Sequence, residues 1–583
     1  MRIRLLIAGI LVWLSASLLS PIRAGDEPDL ILHHGKIVTV DKQFTIHQAL
    51  AVRSGKILRV GGNDEILKSK GPRTQTLDLE GKTVLPGLID SHVHPNGACM
   101  IEFDHPIPEM ETIADVLGYI KSRAKVLSKG EWIEVHQVFI TRLREQRYPT
   151  RRELDEAAPD NPVVFATGPD ASLNTLALKR SGIDKDFKVA DGGPGHAEKD
   201  EHGEPTGILR SCTRYVKSQP SGRQPTDLDR SERLLQLLKD YASVGLTTIG
   251  DRDAYAADIE RYRKLRDNNK LLLRVAVSHH IDTIGAIDRI QDNIRRVAKL
   301  PLTKGDDHLR IVGIKTYLDG GMLTGSAYMR QPWGVSKIYS VKDPEYRGVL
   351  FIPKERLLPI VQTTIESGLQ FTAHSVGDGA VHTLVEVYEE LARKMPIRNV
   401  RPCITHCNFM SAEAIRKMAE LGVAADIQPA WLYLDTRTLT AQFGYDRLRY
   451  FQPLKSLFVA GVVAGGGSDH MQKIGSLRSV NPYNPFLAMW TTIARKAKWY
   501  EGRLHPEEAL SREQAIRFYT VNNAYILFLD DRVGTLEAGK VADFIVLDRD
   551  LLTCPEDDIK DTHVLRTYID GKLVHETKPS RDR

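Results

Sequence analysis

Cysteine is scarce in this sequence: the 583 residues include 5 cysteines, an odd and widely scattered set. So few cysteines argue against a disulfide framework, even in an oxidising compartment. Hydrophobic residues at 42%, charged residues at 27% and a mean hydropathy of −0.28 exclude a disordered chain, a fibrous repeat and a polytopic membrane protein. An excess of charge of one sign is also absent. The net charge is +5, and without the three arginines of residues 1-24 the chain has 77 basic and 75 acidic residues, which gives no argument for binding nucleic acid.

The first 24 residues have the pattern of a secretory signal peptide. Arg2 and Arg4 precede an apolar run from Leu5 to Leu19, and a proline and the small residue Ala24 follow. The run is shorter than the roughly 20 residues of a membrane span, so we expect cleavage after Ala24 and no membrane span in the mature chain. Without an Arg-Arg pair, Sec-type export to a periplasmic or secreted location is the expected route. An uncleaved N-terminal anchor is the alternative, because Ile22, two positions before the proposed cleavage residue Ala24, is a less than ideal residue for cleavage.

The two ends of the chain share one sequence pattern, and the middle has another. Residues 25-88 and 525-583 alternate short β-type runs with turn signals, which predicts one small β-sandwich built from both termini. Residues 89-524 alternate apolar strands with amphipathic helical stretches, as in a parallel sheet or barrel. One such helical face consists of Leu234, Leu235, Leu238, Tyr241 and Ala242, and another of Val381, Leu384, Val385, Tyr388 and Leu391.

Eight candidate strands can be counted in this middle region, which is the number that closes a (β/α)₈ TIM-like barrel. They are residues 84-94, 246-251, 271-278, 309-318, 370-376, 402-407, 423-429 and 462-469. Residues 95-228 are too long for a loop between a strand and a helix. We interpret them as an inserted α+β subdomain with strands at 132-138, 163-167 and 206-209. An insertion after the first strand covers the catalytic face, so it is expected to act as a lid and to set specificity.

Six polar residues stand at the ends of these strands or within them. His92 and His94 are two apart, so both project into the barrel at a spacing that suits one divalent metal. The remaining four interrupt apolar strands, where an ionisable group is costly unless it is paired or bound to metal. They are Lys315, His374, His406 and Asp469. All six are expected to converge at the end of the barrel where such enzymes hold their active sites.

The sequence resembles the amidohydrolase superfamily, and within it the YtcJ-like branch, also called the amidohydrolase-3 family, over nearly the whole mature chain. The motifs that carry the resemblance are Pro-Gly-Leu-Ile-Asp-Ser-His-Val-His at 86-94, Gly-Glu-Trp-Ile at 130-133, Pro-Thr-Arg-Arg-Glu-Leu at 149-154, Gly-Ile-Lys at 313-315 through Asp-Gly at 319-320, His-Ser-Val-Gly-Asp at 374-378, Thr-His at 405-406, Gln-Pro at 428-429, Gly-Ser-Asp at 467-469 and Gly-Thr-Leu-Glu-Ala-Gly-Lys-Val-Ala-Asp at 534-543.

This resemblance implies a metal-dependent hydrolase of amide-type C-N bonds with one or two metals, usually Zn²⁺. It implies that His92, His94 and Asp469 bind the more buried metal and that His374 and His406 bind a second. Lys315 would be carboxylated by CO₂ and bridge the two, because a plain ammonium would repel them. The alternative is a lysine paired with Asp319 or Asp469 beside a single metal. Asp469 would be the general base and then the general acid.

The substrate contacts are less clearly marked. The family commonly has a Gly-His pair in the insertion, whereas Gly168 is here followed by Pro169, so substrate specificity cannot be transferred from the family. The predicted pocket residues are Trp132, Arg330, Gln428 and Trp431. His279, His280, His470, Cys403 and Cys407 are expected to stay outside the metal set, and Asp319 and Asp378 to form turns as readily as to bind substrate.

The sequence therefore predicts an exported hydrolase that acts on a small-molecule N-acyl, N-formyl or cyclic amide. Two alternatives remain. A deaminase or cyclic-imine hydrolase of the same superfamily is disfavoured by Lys315, and a catalytically silent binding protein on this scaffold is disfavoured by the complete set of six metal-site residues. The sequence leaves open whether the chain forms a homo-oligomer.

Overall fold

The computed structural model describes residues 27-136 and 138-577. The predicted signal peptide, residues 1-24, lies outside this part of the chain. Among the described residues, no helix combines the length and the apolar character that crossing a membrane requires.

Eight parallel strands form the central sheet, and each pairs with the next one along the chain. The strands are Leu88–Val93, Leu246–Ala254, Arg274–His280, Leu309–Tyr317, Gln370–Ser375, Cys403–His406, Ala424–Ile427 and Ala464–Gly466. The segment after the eighth strand meets the first, because the Asp469 N–H donates to the His92 carbonyl at 2.8 Å and the His94 N–H to the His470 carbonyl at 2.9 Å. The predicted α/β class and (β/α)₈ barrel are confirmed.

Helices follow the strands and cover the outside of the barrel. The described helices are Asn63–Leu67, Pro95–Ala98, Ile113–Ala124, Arg151–Ala157, Thr175–Ser181, Asp227–Ser243, Ala256–Asp267, Ile287–Ala298, Lys354–Glu366, Asp378–Ala392, Ala412–Leu421, Pro429–Phe443, Leu454–Ala460, Pro485–Ala494, Arg512–Phe518 and Val521–Ile526. The predicted faces of Asp227–Ser243 and Asp378–Ala392 are buried as expected, except that Leu235 is half-buried and Leu237 is buried in its place. The buried face of each helix thus packs against the barrel.

The predicted strand 84-94 is in fact two strands in two sheets. Thr83–Pro86 pairs with Phe544–Leu547 in the sandwich, and Leu88–Val93 opens the barrel. The division falls at Gly87, where a Cβ atom would lie 2.2 Å from the Thr247 hydroxyl oxygen. Only glycine permits this close approach, so the chain passes from one sheet to the other there.

The sandwich contains strands from both ends of the chain. One sheet has four strands in the order Lys56–Gly61, Ala49–Arg53, Leu30–His33 and Gln75–Asp78. The other has six, in the order Lys572–Glu576, Val564–Ile569, Phe544–Leu547, Thr83–Pro86, Lys36–Val38 and Ile46–His47. Buried residues of both sheets, such as Leu50 and Phe544, form one apolar core. Short strands that alternate with turns are the pattern that the sequence showed at both ends of the chain.

The insertion carries a five-stranded sheet of its own. Its order is His196–Lys199, Pro205–Arg210, Asp170–Leu173, Val163–Thr167 and Ile133–His136. Its helix Arg151–Ala157 begins with a capping box, in which the Thr150 hydroxyl accepts from the Glu153 N–H and the Glu153 carboxylate accepts from the Thr150 N–H. This local structure accounts for the Thr-x-x-Glu pattern of the 149-154 motif.

Several strands of the barrel end at other residues than the sequence indicated. The seventh strand stops at Ile427, because Pro429 is the first residue of the next helix. The eighth stops at Gly466, and Asp469 has a φ of +53°, which is incompatible with a strand. The second strand continues to Ala254, through the buried residues Asp251 and Arg252.

Candidate metal centre and active site

The six predicted metal-site residues lie together at the carboxyl end of the barrel. His92 is in the first strand, Lys315 in the fourth and His374 in the fifth, while His406 ends the sixth. His94 follows the first strand directly, and Asp469 comes three residues after the end of the eighth. Parallel strands end at one face of the barrel, which explains how residues that are far apart in sequence converge there.

Three of these side chains meet at hydrogen-bonding distance. Oδ1 of Asp469 lies 3.1 Å from Nε2 of His94 and 3.4 Å from Nε2 of His92, and the two imidazole nitrogens are 3.2 Å apart. Ligand atoms of His92, His406 and Asp469 all lie within 4.8 Å of one another. Several nitrogen lone pairs and a carboxylate oxygen that face one point match the donor set and spacing of a divalent metal site.

The other two histidines complete this arrangement. The ring centroids of His374 and His406 are 4.5 Å apart, and those of His92 and His406 are 5.1 Å apart. Burial lowers the pKa of His374 to about 3, and the charge of Lys315 acts in the same direction. Burial likewise lowers the pKa of His92 and of His406. All three are therefore neutral near pH 7, which is the form that binds metal.

His94 behaves differently from the other histidines. Burial lowers its pKa, but the hydrogen bond to Asp469 and the charge of that carboxylate outweigh burial, so the pKa is raised overall. Asp469 is thus close enough to His94 to hold a proton or a cation between them.

Lys315 is almost completely buried, with 1% of its surface exposed, and its ammonium lies 5.0 Å from the ring centre of Tyr317. Burial lowers its pKa, while the charge of Asp253 opposes this effect. Among the described residues, no carboxylate oxygen lies within 4.0 Å of its ammonium nitrogen, so the alternative pairing with Asp319 or Asp469 is not present. A buried lysine without a close counter-ion is costly in its charged form.

Two residues at the end of the seventh strand contact the Nδ1 atoms of two metal-site histidines. Oδ2 of Asp426 lies 3.1 Å from Nδ1 of His92, and Oε1 of Gln428 lies 2.7 Å from Nδ1 of His406. Both Asp426 and Gln428 are fully buried. Each contact leaves Nε2 of its histidine directed at the site, which fixes the tautomer that a metal ligand needs.

The backbone is unusual at two of the site residues. His406 has a φ of +77° and Asp469 a φ of +53°. Residues other than glycine adopt this left-handed region rarely and at a cost of about 1–3 kcal/mol, and such positions cluster at active sites. The 2.8 Å hydrogen bond from the Asp469 N–H to the His92 carbonyl holds the aspartate in place.

A cavity of about 750 Å³ opens above these residues. Five members of the set line it: His94, Lys315, His374, His406 and Asp469. Its walls come from the insertion, from the segment after the fourth strand and from the start of the helix Pro429–Phe443, including Phe139, Val164, Ala166, Pro169, Val216, Met322, Leu323 and Trp431. Apolar walls above a polar floor are typical of a site for a small molecule.

The four predicted substrate contacts have different positions. Trp431 lines the cavity, and its ring centre lies 6.3 Å from that of His406. Gln428 instead contacts Nδ1 of His406. Trp132 packs in the core of the insertion, and Arg330 lies in a separate depression beside His382. Neither of these two is among the described residues that line the cavity. Their positions depend on how loops and the insertion pack, which strand periodicity does not encode.

Several of the polar residues that were expected outside the metal set have contacts of their own. His470 is buried and contacts the Tyr241 hydroxyl at 2.6 Å. Asp319 accepts hydrogen bonds from the backbone N–H groups of Tyr328, Val376 and Gly377, and therefore organises two loops. Cys403 and Cys407 are buried free thiols.

One cavity group went unnoticed in the sequence. Asp253 lines the cavity and accepts hydrogen bonds from the Tyr317 hydroxyl and from Nδ1 of His280, both at 2.8 Å. The available signal was its place at the carboxyl end of the second strand, but that strand was predicted to end at residue 251.

Comparisons with known proteins agree with this geometry. Residues 75–575 match the model of a family described as "Amidohydrolase family". The chain is 29% identical over 560 residues to the N-substituted formamide deformylase of Arthrobacter pascens, covering 94% of this chain and 98% of that protein. It is 25% identical over 559 residues to the putative amidohydrolase YtcJ of Bacillus subtilis, covering 94% and 99%.

A solved structure shares the fold. The crystal structure of an uncharacterized metal-dependent hydrolase from Pyrococcus horikoshii superposes with a TM-score of 0.64 at 22% identity, over 91% of this chain and 99% of the other. At this identity, the likeness supports the fold alone.

Proposed function

This chain belongs to the amidohydrolase family, and we propose that it is a metal-dependent enzyme that cleaves the C–N bond of a small N-acyl, N-formyl or cyclic amide. The observation that carries the proposal is the convergence of four imidazoles, a buried lysine and the Asp469 carboxylate at one end of the barrel, where five of these six side chains line a single cavity. The relative that is named for deformylation of N-substituted formamides supports an amide as the substrate class.

The donor set fits Zn²⁺, which binds imidazole nitrogens and carboxylate oxygens. His92, His94 and Asp469 would hold one ion. His374 and His406, with Lys315 carboxylated by CO₂, would hold a second ion. The burial of Lys315 supports this modification, because a neutral amine reacts with CO₂ and a carbamate has the negative charge that two cations need. A bound metal would supply Lewis-acid activation of water and of the substrate carbonyl.

Asp469 would carry the proton in the reaction. Its carboxylate accepts a proton from the attacking water and returns it to the leaving nitrogen, and so acts first as general base and then as general acid. The hydrogen bond from its own N–H to the His92 carbonyl, and the contact with His94, keep the carboxylate directed into the cavity.

Export remains part of the proposal. The support is the N-terminal pattern of Arg2 and Arg4, the apolar run and Ala24. Intact-mass analysis of the protein from its native cell should give a chain that begins near Gly25. Recovery of the full-length chain from the cytosol would contradict export.

A substrate screen tests the activity itself. The metal-loaded mature chain is incubated with a panel of N-formyl amines, N-acyl amines and lactams, and the release of amine or ring opening is measured. Hydrolysis of at least one class, dependent on metal, is expected. A metal-loaded chain that hydrolyses no member of the panel would contradict the proposed function.

A further inference from the structure

A second group of metal-binding side chains lies on the β-sandwich, outside the barrel. It consists of His33, His34 and Asp78, and each residue offers one ligand atom, all of them within 4.8 Å of one another. None of the three is among the described residues that line the cavity. The group is therefore separate from the candidate metal centre.

Two neighbouring strands bring these residues together. His33 ends the strand Leu30–His33 and Asp78 ends Gln75–Asp78, and the two residues are direct partners in the parallel register of these strands. Successive side chains of a strand point to opposite faces, so His33 and His34 would diverge if the strand continued. His34 instead has a φ of +53°, and the two Nδ1 atoms lie 3.0 Å apart. The turn at His34 thus accompanies the convergence of the two imidazoles.

Backbone contacts hold the group in position. The His34 N–H donates to Oδ1 of Asn63 at 2.8 Å, and the Gly81 N–H donates to the His34 carbonyl at 2.7 Å. The Glu80 N–H donates to Oδ1 of Asp78 at 3.0 Å. One carboxylate oxygen is therefore held by the backbone, while the other, Oδ2, faces His34 at 3.0 Å.

The distances between the three ligand atoms fit a tetrahedral metal. Nδ1 of His34 lies 3.0 Å from Nδ1 of His33 and 3.0 Å from Oδ2 of Asp78. The third distance, from Nδ1 of His33 to Oδ2 of Asp78, is 3.9 Å. A Zn²⁺ ion with ligands at about 2.0–2.1 Å has neighbouring ligand atoms about 3.3 Å apart. The three atoms thus have the spacing of three corners of one coordination tetrahedron.

Hydrogen bonds alone satisfy this arrangement poorly. An imidazole nitrogen carries either one hydrogen or one lone pair. If Nδ1 of His34 carries a hydrogen, the two acceptors Nδ1 of His33 and Oδ2 of Asp78 must share it. If it carries a lone pair, that lone pair faces an oxygen of the carboxylate. A metal ion between the three atoms would accept a lone pair from each of them.

The candidate metal centre shows the same relation between its donors. Its two Nε2 atoms, of His92 and His94, are 3.2 Å apart, and Oδ1 of Asp469 lies 3.4 Å and 3.1 Å from them. The difference is exposure, because the side chains of His34 and Asp78 are 52% and 50% exposed. A metal on the sandwich would be open to solvent, so we expect it to bind more weakly than in the buried centre and to fill last.

We propose that His33, His34 and Asp78 form a further metal site, which binds one Zn²⁺ ion through Nδ1 of each histidine and Oδ2 of the aspartate. Solvent occupies the fourth position. The ion links the ends of the strands Leu30–His33 and Gln75–Asp78, and its role is structural. This inference goes beyond the proposed function and does not depend on it.

Counting bound metal tests the site. The chain is equilibrated at buffered free Zn²⁺ concentrations from nanomolar to micromolar, and bound zinc is counted by native mass spectrometry. His34→Asn removes one ligand atom, and asparagine tolerates the left-handed conformation at this position. Asp78→Asn removes the charge and keeps an acceptor for the Glu80 N–H. At the highest Zn²⁺ concentration, each variant should bind one ion fewer per chain than the parent and hydrolyse substrate at the parent rate.

Chemical modification of the parent chain locates the ion without any substitution. Diethyl pyrocarbonate acylates an imidazole nitrogen that has a free lone pair, and a metal at Nδ1 leaves only a protonated Nε2. Zn²⁺ should therefore slow the modification of His33 and His34, measured by mass spectrometry of peptides.

His47 is the matched control. It lies in the strand Ile46–His47 of the other sandwich sheet, and it belongs to no such group of ligands among the residues that the structure describes. His47→Asn should keep the zinc count of the parent, and Zn²⁺ should leave the modification of His47 unchanged.

The outcomes separate this inference from the proposed function. An equal zinc count in the parent and in His34→Asn, or modification of His33 and His34 that Zn²⁺ does not slow, would overturn the inference. The same holds for a loss of one ion in His47→Asn. A chain that hydrolyses no amide, but loses one Zn²⁺ ion in His34→Asn and shows the protection, would support the inference and contradict the proposed function.

Discussion

The Asp426 carboxylate lies 3.1 Å from Nδ1 of His92, and both side chains are fully buried. Asp426 also accepts a hydrogen bond from the Ser91 hydroxyl at 2.6 Å and lies 3.6 Å from Arg252. The Asp426 carboxylate thus contacts three side chains, those of His92, Ser91 and Arg252. It orients the imidazole of His92 so that Nε2 points at Asp469 and His94.

We predict that Asp426→Asn weakens metal binding by about 10- to 100-fold, because it removes the charge that fixes the His92 tautomer. Titration against a chelator of known affinity measures this change. Asp543→Asn is the control, since Asp543 is buried in an ion pair with Arg274 on the sandwich side of the molecule and should keep the wild-type affinity. Equal affinity in the Asp426 variant and the wild type would contradict the proposed role.

The capping box of Arg151–Ala157 gives a pH-dependent prediction. The ion pair with Arg147, together with hydrogen bonds from Thr150, lowers the pKa of Glu153 to about 2, although burial opposes this. A lowered pKa means that the folded state prefers the carboxylate. This stabilisation is complete above the ordinary value of about 4.5 and is lost as the pH falls towards 2.

Glu153→Gln should therefore lower the free energy of unfolding by about 1–2 kcal/mol at pH 7, and the difference from wild type should shrink between pH 4.5 and pH 2. Urea midpoints at pH 7, 4 and 3 measure it. Glu156→Gln, on the exposed side of the same helix, should change the midpoint little. A Glu153 difference that stays constant down to pH 3 would show that charge is not its cause.

Lys315→Ala should reduce the metal content from two ions to one and remove most of the activity, because the proposed carbamate would be lost as a ligand. Metal reconstitution of the wild type should depend on bicarbonate. A short-chain carboxylic acid added to the variant should restore part of the activity by filling the same position. Full metal content in Lys315→Ala, or wild-type reconstitution that is indifferent to bicarbonate, would contradict the two-metal proposal.

Asp469→Asn should lower turnover by on the order of 10²–10⁴, with loss of a metal ligand adding to this, while the chain keeps its fold and at least one metal. Circular dichroism and metal analysis check the fold and the metal content, and amine release measures turnover. Near wild-type turnover would show that the general base is another group.

The barrel and the convergence of the six metal-site residues could be predicted because strand periodicity is local. His92 and His94 share a face through their spacing, and His374, His406 and Asp469 interrupt apolar runs. The same reasoning would have found Asp426, a buried carboxylate in the strand Ala424–Ile427, had it been applied to every ionisable residue in a strand.

Other features could not be predicted, because they depend on how distant segments pack. The positions of Trp132, in the core of the insertion, and of Arg330, in the segment after the fourth strand, depend on how these segments pack against the barrel. Gln428 was assigned to substrate, but the structure places it against His406. The division of residues 84-94 at Gly87 depends on contact with Thr247, which is 160 residues away in the sequence.

The central claim is that hydrolysis of an amide depends on metal held by this set of residues. The most direct measurement combines mass spectrometry of bound metal with amine release, on one preparation that is stripped by a chelator and then reloaded with Zn²⁺ in the presence of bicarbonate. We predict that the stripped chain is inactive and that activity returns as the metal content approaches two ions per chain. A stripped chain that retains full activity, or a chain that binds no metal and still hydrolyses the amide, would contradict the account.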